Sequence, residues 1–248
     1  MNSNKLQLAL SYQRTSRYIV SCNNNAKLAK ILYTLNSYLS VSIFRIIGIF
    51  EVTFRNSIDN LYIKEHGNNW LRDAVNDGGM FDIDRCLSSK NVVLNLIDKL
   101  EKEQSRSAKR NVKSIKHCDL VSKLEFGFWK YQFAQPQFNA GGNILLRIFK
   151  NKPSSTKEIK YNQKYFYEHL DTLNRLRNRI AHHEPLCFRC NKSIIDINEA
   201  LENVQKIYTL TGYLGYDKNE LYGECKDLDY VIRKIMQLQK IVSNDKTK

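Results

Sequence analysis

Apolar residues along the chain recur at the three- and four-residue spacings of α-helices. The clearest stripe lies within residues 26–65 and comprises Ile43, Ile47, Phe50, Phe54, Ile58 and Leu61. Such spacing places these side chains on one face of a helix, so the sequence predicts a long helix here. Gly67 is placed to end it.

Similar patterns predict further helices along the rest of the chain. They cover residues 89–103, 119–133, 141–150, 195–211 and 226–243, with residues 68–88 as a loop and residues 134–140 as a separator. A long helix is predicted from the capping-box pair Ser155 and Glu158 to about His183, where Pro185 stops it.

The composition agrees with a mostly helical protein. Only ten glycines and three prolines occur in 248 residues, which is few for an all-β fold with its many turns. No internal repeat or linker is evident. We therefore expect one all-α domain over residues 1–248, with a helical-bundle core at about 26–211 and a C-terminal helix at about 226–243.

The charge indicates an anionic partner. Lys and Arg outnumber Asp and Glu by 39 to 25, a net charge of +14, and common anionic partners are nucleic acids and membranes. The most apolar stretch, "VSIFRIIGIFEVTF", is interrupted by Arg45 and Glu51 and is short for a membrane span. The N-terminal residues lack the apolar core of a signal peptide. We expect a cytoplasmic protein that binds nucleic acid, with no membrane partner.

One segment, residues 104–116, carries five basic residues and no acidic one. The basic residues are Arg106, Lys109, Arg110, Lys113 and Lys116. Two interpretations stay open: a solvated connecting loop, or a loop that contacts phosphates.

The segment "LRNRIAHHEP", residues 176–185, concentrates polar chemistry at a helix end. At 100° per residue, Leu176 and Ile180 lie on the apolar side, whereas Asn178 and His182 lie together on the opposite side. Arg177 lies on the flank. His182 is therefore not expected to be a core histidine, and its face is either solvated or contacts a partner or substrate.

A zinc site is the alternative for this region. His182 and His183 precede Cys187 and Cys190, and C-x-x-C is half of many zinc sites. All four ligands would crowd into nine residues, and no second cysteine pair is present. We expect reduced, buried thiols and no metal.

Several segments together resemble one family. "LRNRIAHHEP", "LYTLNSYLS", "FEVTFRNSID", "HGNNWL" and "LEFGFWK" are similar to stretches of the abortive-infection (Abi-like) proteins of bacterial phage defence, a family of the HEPN superfamily of helical ribonucleases and RNA-binding domains. The superfamily motif is an Arg followed by His after four to six residues, here Arg177, Asn178 and His182. The chain departs from the family at Phe54 and after Pro185, outside this motif.

The resemblance implies metal-independent cleavage of RNA by attack of a ribose 2′-OH, without a cofactor. His182 would move protons, Arg177 would stabilise phosphate charge and Asn178 would orient the imidazole or bind phosphate. Because the chain has one full motif and the superfamily pairs two, the resemblance also implies a homodimer.

Other residues are assigned supporting roles. Glu51 and Arg55 form either an intrahelical ion pair or a layer that holds the motif in place. His183 is expected near the core, packing or capping, and Arg179 joins the RNA-contacting residues. The alternative function is a non-catalytic RNA-binding module that holds a small structured RNA. Nothing in the sequence indicates DNA specificity.

Overall fold

The computed structural model describes residues 8, 10–107, 115–189 and 192–245. Within these ranges the chain contains eleven α-helices and no β-strand, which confirms the all-α prediction. The helices are α1 (Tyr12–Ser21), α2 (Ala26–His66), α3 (Trp70–Asp73), α4 (Leu87–Ser107), α5 (His117–Lys123), α6 (Phe126–Tyr131), α7 (Gln135–Ala140), α8 (Gln163–Ala181), α9 (Asn198–Tyr213), α10 (Lys218–Tyr222) and α11 (Lys226–Asn244). Single 3₁₀ turns lie at Asp84–Cys86 and Leu145–Ile148.

The chain folds into two compact units, and three of the four boundaries between them fall within helices. The unit that we call the motif unit comprises Met1–Gly48, Arg175–Tyr208 and Lys218–Lys248, and the aromatic unit comprises Ile49–Asn174 and Thr209–Asp217. The expectation of one domain stays a prediction.

The core of the aromatic unit is a cluster of phenylalanine rings. Phe50 and Phe54, one turn apart on α2, stack with their ring centres 5.7 Å apart, and Phe54 also contacts the ring of Phe133 at 5.8 Å. Phe149 and Phe166 stack at 3.8 Å. Because large aromatic rings bury much apolar area and prefer such offset geometries, this cluster fixes how α2, α8 and the segments at Phe133 and Phe149 pack within the unit.

A largely buried carboxylate joins three segments of the aromatic unit. Asp59 of α2 accepts hydrogen bonds on Oδ1 from Trp70 Nε1 at 2.7 Å, and the same oxygen lies 2.7 Å from His117 Nε2. The side chains of Asp59 and His117 are each only 14% exposed. One side chain thus connects α2 with α3 and α5.

The motif unit has an aliphatic core, to which α11 contributes a regular stripe. Its buried side chains are Leu228, Val231, Ile235, Leu238 and Val242. Polar groups fix the helix ends: Gln239 donates to the Ile195 carbonyl at 2.8 Å, and Asn23 donates to the Val242 carbonyl at 2.9 Å.

The predicted start of the long motif helix is wrong. The helix α8 begins at Gln163, and Asn162 caps it by accepting a hydrogen bond from Tyr165 N. The hydroxyl oxygen of Thr156 accepts hydrogen bonds from the backbone N–H groups of residues 158 and 159, and that of Ser155 accepts one from the N–H of residue 161, so both side chains stabilise a turn instead. Ser and Thr cap turns as well as helices, and spacing alone does not separate the two.

Other boundaries also differ from the sequence expectations. The helix α4 extends to Ser107, so the start of the basic segment is helical. Residues 134–140, which were predicted to separate two helices, contain α7, with Pro136 in its first turn, where proline is tolerated. The loop at residues 68–88 contains α3. The sequence analysis also missed α1 and α10, and only α10, with five residues, is too short to show a period.

The helix α2 is long and apolar enough, by length and composition, to cross a membrane. About a third of its most apolar window is buried within the structure, and a core helix of a soluble protein meets the same criterion. Its residues Ile43, Ile47, Phe50 and Phe54 are at most 1% exposed. The absence of a membrane partner stays a prediction.

The Asp59 connection leads to a stability prediction. We expect Asp59→Ala to lower the free energy of unfolding by about 2–4 kcal/mol, because it leaves the buried donors of Trp70 and His117 unpaired. Urea unfolding followed by circular dichroism measures this change. The control is Asp98→Ala, which removes an exposed ion pair with Lys102 and should change stability by less than about 1 kcal/mol. Equal effects of the two variants would contradict a connecting role for Asp59.

Candidate active site

The helix α8 separates buried from exposed side chains as its periodicity predicted. Leu176 and Ile180 are 2% and 8% exposed, whereas Asn178 and His182 are exposed. His182 N donates to the Asn178 carbonyl at 2.9 Å, so the helical hydrogen-bond pattern continues one residue beyond α8. His182 is therefore held one turn after Asn178 on the outward face.

Arg177 lies beside this pair and is half-buried. Its Nη1 donates to Asn178 Oδ1 at 3.4 Å, which is a weak contact. Its Nε is buried and has no acceptor within the described part of the chain. A buried donor without an acceptor has a free-energy cost.

The turn after the motif is a Schellman motif with a histidine where glycine is common. His183 N donates to the Ile180 carbonyl at 2.9 Å, and Glu184 N donates to the Arg179 carbonyl at 2.8 Å. His183 has φ of 57°, the left-handed region. Non-glycine residues adopt this region at a cost of roughly 1–2 kcal/mol.

This turn corrects the expected position of His183. Helical geometry put its side chain near the core, but the helix ends at Ala181 and the chain reverses at His183, so the side chain is exposed. A role for His183 in supporting the motif stays a prediction.

Arg179 holds the same turn. Its Nη1 lies 2.8 Å from Glu199 Oε1 and its Nε lies 3.5 Å from Glu184 Oε2, while Nη2 donates to the Pro185 carbonyl at 3.2 Å. Its charge is thus balanced by two carboxylates. This geometry favours a structural role, and its predicted contact with RNA is not tested.

A residue that the sequence analysis missed, Asn36 of α2, anchors the segment that follows. Its buried side chain accepts hydrogen bonds on Oδ1 from Leu186 N at 2.8 Å and from Cys187 N at 3.1 Å. The available signal was a polar residue within the apolar stripe formed by Leu32, Leu39 and Ile43. A polar side chain in such a stripe needs a buried partner, which identifies an anchor.

The remaining predicted site residues are either distant in sequence from the motif or outside the residues that the structure describes. Glu51 and Arg55 belong to the aromatic unit, where Arg55 Nη1 donates to the Ser122 carbonyl at 3.3 Å. Their support of the motif stays a prediction. Lys116 is exposed, and its backbone N–H donates to Asp119 Oδ2. The side chain of Arg106 and all of Lys109, Arg110 and Lys113 lie outside the described residues.

The described residues include no group of three or more His, Cys, Asp or Glu side chains that could hold a metal ion. Cys187 is fully buried, and burial raises the pKa of its thiol, which therefore stays protonated at neutral pH. Cys190 lies outside the described residues, so only half of the C-x-x-C pair is placed.

The left-handed turn gives a second stability prediction. We expect His183→Gly to raise the free energy of unfolding by about 0.5–1 kcal/mol, because glycine adopts positive φ without strain. Ala181→Gly, two residues earlier in the right-handed helix, should lower it by about 0.5–1 kcal/mol. Thermal and urea unfolding of both variants measure the sign of each change. Destabilisation by His183→Gly equal to that by Ala181→Gly would contradict the left-handed conformation.

Comparison with known proteins places the chain in a family. The family model described as Abi-like protein matches residues 7–187, which include α2 and the whole Arg177–His182 motif. No curated protein and no solved structure gives a significant match. Because the family model covers well over half of the chain, the protein belongs to the Abi-like family, a membership that points to abortive infection, a form of phage defence.

Proposed function

We propose that the protein is a metal-independent endoribonuclease of a phage-defence system, and that two copies of the chain form its active site. The observation that carries this proposal is the outward face of the motif unit, where Arg177, Asn178 and His182 lie together. An imidazole and a guanidinium on one exposed surface suit phosphodiester chemistry.

The proposed reaction uses the substrate's own nucleophile. The ribose 2′-oxygen attacks the adjacent phosphorus and gives its proton to an imidazole, while the bond from phosphorus to the 5′-oxygen breaks. The departing 5′-oxygen takes a proton from an imidazolium. The products are a 2′,3′-cyclic phosphate and a free 5′-hydroxyl end, so no external water or cofactor is consumed.

Each motif residue has a distinct role in this reaction. The imidazole of His182 moves the protons, since histidine is the side chain that most often serves as a general acid and base. The guanidinium of Arg177 donates hydrogen bonds where negative charge grows on the phosphoryl oxygens. Asn178, one turn before His182 on the same face, orients the imidazole or binds phosphate.

The need for both an acid and a base supports a homodimer. Each chain supplies one motif histidine, His182. The neighbouring His183 lies beyond the helix, in the left-handed turn that reverses the chain. Two copies that meet through this face would supply two imidazoles to one phosphodiester.

The net charge of +14 supports RNA as the partner, but it does so for a nuclease and for a binding protein alike. The second candidate function is therefore a non-catalytic module that holds a small structured RNA. Turnover distinguishes the two functions.

We expect the purified protein to cleave single-stranded RNA in EDTA and to leave 2′,3′-cyclic phosphate ends. His182→Ala should reduce the cleavage rate by at least about 100-fold, because proton transfer contributes that much or more. Gel and mass-spectrometric analysis of the products measure rate and end chemistry. His66→Ala, at an exposed histidine of α2 in the aromatic unit, is the matched control and should leave the rate unchanged.

Three results would contradict this assignment. Cleavage by His182→Ala at the parental rate would remove His182 from the mechanism. Tight RNA binding without turnover by the intact dimer would favour the binding module. Activity that EDTA abolishes, together with about one zinc per chain by elemental analysis, would favour the zinc alternative.

The composite site makes a separate prediction about mixed dimers. When wild-type chains exchange with a tenfold excess of His182→Ala chains, most of them pair with an inactive chain. The cleavage rate per wild-type chain should then fall to about a tenth. The same excess of His66→Ala chains should cause no loss per competent chain. An unchanged rate with His182→Ala would mean that each chain contains a complete site.

A further inference from the structure

The motif unit contains a cavity beside the proposed active site. It has a volume of about 500 Å³ and is lined by residues of α1, α2 and the end of α8. This size lies in the range of sites that hold small organic ligands. His183 lines the cavity, and the next residue back along the chain is His182.

The walls of the cavity combine aromatic surface with polar groups. Tyr33, Phe44 and Pro185 supply the apolar side, and Phe44 is 43% exposed, so its ring is accessible. The ring of Tyr33 is held in place by an edge-on contact with Tyr18 at 5.2 Å. A ring that is held in place, such as Tyr33, beside an accessible ring, such as Phe44, is suited to stacking against a flat ligand.

The polar groups favour an anionic or hydrogen-bonding ligand. Arg14 and His183 lie at the exposed side of the cavity, together with the hydroxyl of Ser37. Among the described residues, no carboxylate pairs with the Arg14 guanidinium, and no carboxylate lines the cavity. The site therefore offers hydrogen-bond donors and positive charge next to an apolar wall.

We infer that this cavity binds one unstacked nucleobase of the RNA strand and so determines where the strand is cut. This inference rests on the proposed function, since the base would enter the cavity while the phosphodiester beside it lies at His182. Single-stranded RNA is read in this way elsewhere, through bases that stack on aromatic side chains and contact arginine. Because the chain reverses at the left-handed turn, His183 lines the cavity, whereas His182 lies on the outward face.

The inference is tested first by binding, without any cleavage. The probes are the four nucleoside 3′-monophosphates, with ribose 5-phosphate as a control that lacks a base, measured by saturation-transfer NMR. Wild-type protein should bind at least one nucleotide about 5- to 150-fold more tightly than ribose 5-phosphate, which is the range for stacking one base. Equal binding of ribose 5-phosphate would overturn the inference.

A matched pair of variants tests the location. Ser37→Trp should fill the cavity and abolish nucleotide binding. Thr34→Trp should leave binding unchanged, because Thr34 is an exposed neighbour on α2 that does not line the cavity. The two hydroxyls make the same kind of contact, each with the carbonyl four residues earlier. Wild-type affinity in Ser37→Trp would overturn the inference. If Ser37→Trp fails to fold, Phe44→Ala tests the stacking surface by the same measurement.

Cleavage gives a second readout. RNAs that differ only in the nucleotide next to the cut should be cleaved by wild-type protein with different kcat/KM values, and Ser37→Trp should lose that preference. A preference that persists in Ser37→Trp would place base recognition elsewhere. If wild-type protein cleaves none of these RNAs, the proposed function fails, while nucleotide binding still decides whether the cavity is a base site.

Discussion

The candidate site depends on the way in which burial divides the sides of α8. Leu176 and Ile180 must face the core because they carry the apolar area of this helix end, and the 3.6-residue period then directs Asn178 and His182 outward. An apolar side chain at position 182 would expose hydrophobic surface, whereas a polar side chain at position 176 or 180 would be buried without a partner. The chemistry of the motif is thus placed by hydrophobic burial on the opposite side of the same helix.

The end of the helix is fixed by hydrogen bonds that do not themselves take part in the proposed reaction. Arg179 joins Glu184, Glu199 and the Pro185 carbonyl, and Asn36 accepts the next two backbone N–H groups. Together they maintain a left-handed histidine at a position where glycine would be less strained. Retaining a side chain at such a position has a stability cost, and local strain of this kind is often found beside functional sites.

The sequence predicted the buried and exposed faces of a helix where one periodic pattern dominated. It did not predict helix ends and anchoring contacts that depend on individual polar side chains. The stripe on α2 and the two faces of α8 followed directly from spacing, and so did the exposure of His182. The start of α8 was mistaken because Ser155 and Asn162 are both good capping residues and only tertiary packing selects between them. His183 was misplaced because helical angles have no meaning beyond the last helical residue. Asn36 was overlooked because its partners lie about 150 residues away in the chain, and no local pattern reports such a contact.

The central claim is that two copies of the motif face one phosphodiester bond, and a crystal structure with uncleavable RNA tests it most directly. A strand with 2′-O-methyl groups keeps the 2′-oxygen but blocks its attack. Our account requires one His182 imidazole within about 3.5 Å of the 2′-oxygen and the His182 imidazole of the second copy within about 3.5 Å of the departing 5′-oxygen. A monomer on the RNA, or two imidazoles that contact different phosphates, would contradict it.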